Sequence, residues 1–248
     1  MTFPVEMENL SVSFKSAHGR VDALSDVSFR VKEGSVVGFL GPNGAGKTTA
    51  MHVLLGFVKP TAGRACIFGK DVRYTIARQN IGYLPEHPRL YRFLTGRELL
   101  KMAGRLFGIS GTELNSRIDG LILKVGLLDA ANRRIGTYSR GMMQRIGVAQ
   151  ALINNPDLVI LDEPTGGLDP LGRLEMRDII IDLKEQGKTV FFSSHELSEV
   201  ERVCDQVIML SDGKILTQGG LDELVKGGRS LEQYFVEMVR SAKEGSSL

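Results

Sequence analysis

The chain has 248 residues, of which 42 % are hydrophobic and 24 % are charged, close to the averages for soluble globular proteins. At about 150 residues per domain, this length predicts one large domain or one domain with an insertion. The 31 Lys and Arg against 29 Asp and Glu leave a net charge of +2, without the clustered basic residues of a nucleic-acid-binding domain. We therefore expect no direct nucleic-acid partner.

The sequence also bears on the membrane and on redox chemistry. No apolar stretch approaches the roughly 20 residues that a spanning helix needs, and the N-terminus lacks the basic start and apolar run of a signal peptide. Cys66 and Cys204 lie in apolar stretches without metal-site spacing, so we expect reduced core cysteines. We expect a soluble, cytoplasmic chain with no membrane span of its own.

The N-terminal thirty residues alternate between apolar and polar side chains, beginning with Val5 and Met7, which predicts a half-buried antiparallel sheet. Ser35–Leu40 is instead a nearly continuous apolar run, typical of a central strand that is covered on both faces. Similar runs occur further along, separated by helical patterning, at Leu158–Leu161, Thr189–Phe192 and Gln206–Leu210. Strands of this kind alternating with helices predict a parallel α/β sheet.

A glycine-rich segment follows the strand at Ser35–Leu40 and matches the phosphate-loop pattern G-x-x-x-x-G-K-[ST]. Its glycines let the backbone approach phosphate oxygens, Lys47 supplies positive charge to the β- and γ-phosphates, and the Thr48 hydroxyl is a ligand for Mg²⁺. The alternative is a glycine-rich turn with a solvated lysine. The predicted nucleotide-binding residues here are Gly41, Pro42, Asn43, Gly44, Ala45, Gly46, Lys47, Thr48 and Thr49.

Between about Arg89 and Asn154 the sequence contains no apolar run of strand type. Apolar residues recur instead at helical spacing after Thr112, a candidate helix cap, which predicts a helical insertion over roughly 88–154. The tail from Leu221 onward also has a helical pattern. The apolar positions are Leu114, Ile118, Leu121, Ile122 and Val125 in the insertion, and Leu224, Leu231, Phe235, Met238 and Val239 in the tail.

Two adjacent carboxylates, Asp162 and Glu163, end the second apolar strand. Because ligands of parallel sheets bind beyond the carboxyl ends of the strands, we expect Asp162 to hold Mg²⁺, directly or through water. Glu163 is then the candidate general base that deprotonates an attacking water. The alternative is a pair of exposed acids at a strand end.

His195 follows the third apolar strand, in the segment Ser193-Ser-His-Glu196. At the end of a strand in a nucleotide site, a histidine can donate a hydrogen bond to the γ-phosphate. On its own, however, a histidine at this position is more often a cap or a surface residue. We predict no role for His18, His52 or His87.

Together these residues resemble the nucleotide-binding subunit of an ATP-binding cassette (ABC) transporter, over nearly the whole chain. The segment Tyr138-Ser-Arg-Gly-Met142 stands where the family has its Leu-Ser-Gly-Gly-Gln signature, with Arg140 and Met142 in place of Gly and Gln. The resemblance implies that Ser139 and Gly141 contact the γ-phosphate bound by a second subunit. The alternative is a simple Ser-capped amphipathic helix.

Further positions match the family. Gly167-Leu168-Asp169 looks like the loop that links the two active sites of the dimer, and Phe14 looks like the aromatic residue that stacks on adenine, although an alternating strand can also bury it. Ile81–Glu86 looks like the family's Q-loop with Glu86 in place of Gln, a carboxylate that can bind Mg²⁺ or a water. The variant signature, the Tyr-Leu-Pro-Glu segment and the tail Ser230–Phe235 look most like ABC-2 cassettes, which are mainly exporters.

The resemblance implies an α/β fold with a P-loop NTPase (RecA-like) core, an N-terminal antiparallel β subdomain and an inserted α-helical subdomain. A single ABC ATPase domain then spans 1–248: 1–87 and 155–220 form the nucleotide-binding core with its antiparallel β subdomain, 88–154 the helical signature subdomain, and 221–248 a helical tail. It also implies ATP and Mg²⁺ as cofactors, a dimer that is most simply a homodimer, and separate transmembrane permease subunits. The expected location is the cytoplasmic face of the inner membrane.

Two alternatives remain open at this point. A soluble cassette protein acting on ribosomes or DNA usually has two cassettes or a long coiled coil, and neither occurs in this sequence. A small-molecule kinase shares the phosphate loop but gives no reason for Asp162-Glu163, Ser139 and His195 together.

Tyr91, Phe93 and Leu94 in the insertion also allow two interpretations. They are candidates for a permease-docking surface, or they pack the core of the insertion itself.

Overall fold

The structure, a computed structural model, describes residues 2–16, 19–226 and 229–245. By contacts the chain divides into two compact units, 1–79 with 189–248, and 80–188. The strands are β1 (Val5–Ser16), β2 (Gly19–Val31), β3 (Val36–Leu40), β4 (Ala62–Ile67), β5 (Lys70–Asp71), β6 (Ile81–Leu84), β7 (Leu158–Leu161), β8 (Thr189–Ser194), β9 (Gln206–Ser211) and β10 (Lys214–Gly220). The helices are α1 (Lys47–Leu54), α2 (Gly96–Leu106), α3 (Gly111–Lys124), α4 (Arg140–Ala151), α5 (Pro170–Glu185), α6 (Leu197–Val203), α7 (Leu221–Leu224) and α8 (Leu231–Gly245).

An antiparallel sheet in the first unit has the strand order β2-β1-β4-β5. β1 and β2 pair along nearly their whole length, from Val5 opposite Val31 to Ser16 opposite Gly19. Alternate residues such as Val5 and Met7 are buried, as the period of two predicts. The predicted N-terminal antiparallel sheet is therefore confirmed.

A second sheet in the same unit has β3 between β8 and β9, parallel to both, with β10 antiparallel to β9. All five residues of β3 are buried, because both faces of this central strand are covered. Phe39 of β3 lies 5.7 Å from Phe29 of β2 and 5.3 Å from Phe191 of β8, measured between ring centroids. These aromatic rings pack the core beneath the strand that leads into the phosphate loop.

The second unit pairs β6 with β7 in parallel and carries helices α2 to α5. The predicted helical pattern between 88 and 154 is observed as α2, α3 and α4, whose buried faces include Leu99, Leu114 and Ile118. The predicted cap Thr112 is wrong, because α3 begins at Gly111 with Ser110 as its N-cap residue. Thr112 consequently lies within the first turn of the helix.

The predicted helical tail is observed as α7 and α8, with Leu221, Leu224 and Leu231 buried. Phe235 and Met238 are half-buried, and the side chain of Val239 lies outside those that the structure describes. Within the described ranges, no helix is both long enough and apolar enough to cross a membrane. The assignment of 1–87 with 155–220, 88–154 and 221–248 to separate subdomains stays a prediction.

Candidate active site

The phosphate loop lies between the end of β3 and the start of α1. Gly44 and Gly46 have φ angles of 83° and 105°, a region that glycine enters without strain. Within the loop the Ala45 amide donates to the Pro42 carbonyl at 3.2 Å. The Gly213 amide, in the turn between β9 and β10, donates to the Ala45 carbonyl at 3.1 Å. These hydrogen bonds fix the loop to the rest of the unit. The first amides of α1, which have no partner within the helix, are suited to binding an anion.

Lys47 is buried at the first position of α1. Its ammonium group donates to the Gly41 carbonyl at 2.6 Å and to the Pro42 carbonyl at 3.3 Å. The side chain therefore folds back over its own loop, which contradicts the alternative of a solvated lysine. Thr48 is exposed at the next position.

The glycines of the loop are required for different physical reasons. A Cβ on Gly41 would lie 2.3 Å from the Leu210 carbonyl oxygen, and one on Gly46 would lie 2.5 Å from the Ala23 carbonyl oxygen. Gly44, in contrast, has open space in the direction of a Cβ. The close backbone approach at Gly41 and Gly46 is therefore to the protein itself, whereas Gly44 faces the open side.

His195 follows β8, which pairs with β3 in a register that sets Leu40 opposite Ser194. Gly41 and His195 are the next residues of the two parallel strands, so both leave the sheet at the same edge. His195 is exposed there. The structure thus brings His195 to the edge where the phosphate loop begins.

Phe14 lies near the end of β1, opposite Val21 of β2, and is 44 % exposed. The alternative that Phe14 is an ordinary core residue is therefore wrong, although its strand does alternate. An exposed aromatic face is available for stacking.

The carboxylate pair lies at the end of β7 in the second unit. Asp162 is only 2 % exposed and Glu163 8 %, so the alternative of two exposed acids is wrong. The Asp162 amide donates to the Leu84 carbonyl of β6 at 2.8 Å. Glu163 has a φ of 49°, which is uncommon for a residue with a side chain and marks a strained position of the kind found at functional sites.

Tyr83 of β6 is a neighbour of this pair that the sequence analysis assigned no role. In the β6–β7 register Tyr83 lies opposite Ile160, two residues before Asp162, so that both side chains lie on the same face. Burial, with a contribution from the Asp162 charge, raises the pKa of Tyr83 to about 12. Its position inside the matched segment Ile81–Glu86 was the signal that could have identified it.

Glu86 lies two residues beyond β6, at the edge where Asp162 follows β7, because Leu84 and Leu161 are paired. Its side chain is largely exposed, and a carboxylate oxygen lies 3.7 Å from Nδ1 of His87. Glu86 and Asp162 therefore leave their strands side by side.

The segment at Ser139 begins α4. The Ser139 hydroxyl oxygen accepts a hydrogen bond from the Met142 amide at 3.2 Å and caps the helix. Nearby, Asp169 caps α5 by accepting from the Gly172 amide at 2.8 Å. Both segments line one cavity of about 370 Å³, which brings Ser139 and Gly141 together with Gly167, Leu168 and Asp169.

A family model described as ABC transporter matches residues 24–166. The chain belongs to the ABC transporter family. It is 49 % identical to an uncharacterised ABC transporter ATP-binding protein of Nostoc sp. over 208 residues, covering 83 % of this chain and 62 % of that protein. It is also 42 % identical to the bacitracin transport ATP-binding protein of Bacillus licheniformis (88 % and 71 % covered) and 39 % identical to a lantibiotic transport ATP-binding protein of Streptococcus pyogenes (90 % and 93 % covered).

Solved structures of ABC proteins share the fold. The ATP-binding subunit of an ABC transporter superposes with a TM-score of 0.84 at 32 % identity, covering 95 % of this chain and 99 % of that one. A dimeric ATP-binding cassette in a post-hydrolysis state with ADP and phosphate gives 0.80 at 28 % identity, with 88 % and 98 % covered. The predicted family and fold class, an ABC ATP-binding subunit with a P-loop NTPase fold, are confirmed.

Two features of this ABC subunit escaped sequence reasoning besides Tyr83. The protein-facing contacts of Gly41 and Gly46 depend on segments far away in sequence, and no local pattern predicts them. The second is a contact between Arg140 and Gly167, which lie in separate motifs. The roles of the individual site residues stay predictions.

Proposed function

We propose that this chain hydrolyses ATP as one of two ATP-binding subunits of an exporter, at the cytoplasmic face of the membrane. The observation that carries the proposal is the phosphate loop, with buried Lys47 folded over it at the start of α1. The matched bacitracin and lantibiotic transport ATP-binding proteins support a role in transport. The direction of transport rests on the resemblance to ABC-2 cassettes. The chain spans about 62 % of the Nostoc relative, so the activity of the whole protein belongs to this proposal.

Nucleotide binding uses groups whose chemistry suits ATP. The backbone N–H groups of residues 41–49, apart from Pro42, which has none, bind the phosphates. Lys47 exchanges its carbonyl partners for phosphate oxygens. Phe14 stacks its exposed ring on the adenine.

The residues also fit a magnesium ion. The Thr48 hydroxyl and the carboxylates of Asp162 and Glu86 are the oxygen ligands that Mg²⁺ prefers, and a nucleotide-bound Mg²⁺ takes only one or two carboxylates. Within the described ranges, no group of three or more His, Cys, Asp or Glu residues could hold a metal ion by itself. When bound, the ion neutralises charge on the phosphates.

Hydrolysis then requires an activated water. Glu163, which is 8 % exposed and has a backbone φ of 49°, accepts a proton from that water as general base. His195 donates a hydrogen bond to the γ-phosphate and stabilises the charge that develops there.

The segment at Ser139 is the reason to propose a dimer. The chain has one phosphate loop, and Ser139 with Gly141 at the N-terminus of α4 is suited to the γ-phosphate held by a second subunit. ATP then stabilises the closed dimer through contacts that ADP lacks, and hydrolysis releases it. The similar cassette that was solved as a dimer with ADP and phosphate supports this arrangement.

Tyr91 and Phe93 carry the proposed contact with the permease. They are 54 % and 69 % exposed, with ring centroids 5.7 Å apart. They do not pack the core of the insertion, and an exposed aromatic pair of this kind is typical of an interaction surface. Leu94, which is only half-buried, extends this docking surface.

Glu163→Gln tests the proposal. We expect ATP binding to persist, phosphate release to fall at least about 100-fold because the general base is lost, and an ATP-dependent dimer to accumulate in size-exclusion chromatography. Glu33→Gln, an exposed carboxylate in a turn, is the matched control. Normal phosphate release by Glu163→Gln contradicts the assignment of the base, and phosphate transfer to a small molecule instead of release favours a kinase.

A further inference from the structure

The contact of interest joins the first residue of α4 to the loop before α5. A Cβ placed on Gly167 would lie 2.5 Å from both Cζ and Nη1 of Arg140 and 2.8 Å from Nη2. Because these three atoms are nearly equidistant, the guanidinium plane lies flat against the glycine. A side chain at position 167 would therefore displace it, and the φ of 67° also favours glycine there.

Arg140 is not explained by the stability of its own helix. It occupies the first turn of α4, where the helix dipole presents positive charge and an acidic residue is favourable. A basic side chain here is unfavourable for the helix, and it replaces the small residue that is usual at this signature position. A contact outside α4 is therefore the better explanation for an arginine at position 140, and the contact with Gly167 is of this kind.

The loop that Arg140 contacts begins at the candidate general base. The Gly166 amide donates to the Glu163 carbonyl at 3.0 Å, and the Leu168 amide donates to the Thr165 carbonyl at 3.2 Å. Leu168 is buried, and its Cδ2 would lie 3.9 Å from a Cβ on Gly141. The contact between Arg140 and Gly167 thus joins the turn at 139–141 to a short loop that starts at Glu163, and Leu168 of the same loop lies near Gly141.

We propose that Arg140 is a positioning residue that couples the two ATP sites of the dimer. It presses residues 166–169 against the start of α4, so that when Ser139 meets the γ-phosphate of the second subunit, the loop that begins at Glu163 shifts with it. This rests on the proposed function, because the coupling needs a dimer with two ATP molecules. The contact itself exists within a single chain.

Hydrogen exchange of the nucleotide-free chain tests the contact without any catalysis. In Arg140→Gly we expect the Gly166 and Leu168 amides to exchange about threefold faster or more, the lower range for coupling between contacting residues. Arg140→Lys, which keeps the charge but loses the planar face, is expected to behave in the same way. Unchanged exchange in Arg140→Gly, or slow exchange preserved in Arg140→Lys, overturns the contact proposed.

Phosphate release as a function of ATP concentration tests the coupling. We expect a Hill coefficient above 1 for the natural chain, and a fall toward 1 in Arg140→Gly and in Gly167→Ala, with the double variant no worse than either single one. A merely structural role leaves the Hill coefficient unchanged, and that result overturns the coupling. If the natural chain releases no phosphate, the proposed function fails, whereas the exchange measurement still decides the contact.

Discussion

Gly41→Ala tests whether the phosphate loop is held by close packing against the protein. The new Cβ would lie 2.3 Å from the Leu210 carbonyl oxygen, whereas such contacts are not found below 3.0 Å, so one backbone must retreat by at least 0.7 Å. Overpacking of this kind costs about 1–3 kcal/mol. Alanine also lowers the conformational entropy of the unfolded chain, which stabilises the folded state by about 0.4–1 kcal/mol.

From the middle of each range, the net expectation for Gly41→Ala is a loss of about 1.3 kcal/mol in the free energy of unfolding. For a chain of this size, that lowers the thermal midpoint by about 3–5 °C, measured by circular dichroism without nucleotide. We also expect weaker ATP binding in calorimetry, because a shift of the backbone at residue 41 displaces the amides of the phosphate loop.

The matched control is Gly120→Ala in α3, where a Cβ meets open space. Alanine is the better helix former by about 0.8–1 kcal/mol, so this variant is expected to melt at a higher temperature than the natural chain. A Gly41→Ala chain that is as stable as the Gly120→Ala chain would refute the packing argument.

Two further predictions concern Lys47 and Tyr83. Lys47→Met is expected to weaken ATP binding about 10- to 100-fold, since it removes charge-assisted hydrogen bonds worth about 1.5–3 kcal/mol; calorimetry measures this against the exposed-site control Lys70→Met, and equal affinities contradict the role of Lys47. The raised pKa of Tyr83, about 12, predicts a pH effect. The unfolded chain ionises this phenol near pH 10, whereas the folded chain does so only near pH 12. The contribution of Tyr83 to the free energy of unfolding is therefore fully present below pH 10 and is lost as the pH rises from about 10 to about 12. Denaturant titrations at several pH values should show a smaller loss in Tyr83→Phe, and an identical loss would contradict the assigned cause.

Strands with their own hydrophobic signal were predictable. β3, β7, β8 and β9 appear close to the apolar runs that predicted them. β10 was not predicted, because its residues Lys214–Gly220 are at most half-buried, and β4 begins with three exposed residues. These strands form because a partner strand offers hydrogen bonds, a condition that local composition does not record.

Helix boundaries show the same division. The periodicity of Leu114, Ile118 and Ile122 predicted α3, but its start at Gly111 differs from the predicted cap. At α2, Thr95 and Glu98 form a capping box that was readable from the residue spacing. A complete capping box, with both of its residues at the right spacing, thus indicates where a helix begins. An isolated threonine does not.

The sequence by itself determined the family, the phosphate loop and the acidic pair, because these depend on residue types at fixed spacing along one strand and one turn. The order of the residues also shows that no apolar run reaches the roughly 20 residues of a spanning helix. Only the tertiary structure decided that Phe14 is exposed, that Asp162 and Glu163 are buried, and that Gly41 is required by the Leu210 carbonyl. It likewise placed Arg140 on Gly167. Burial and close contact depend on segments that are distant in the chain, and they exist only once those segments have packed.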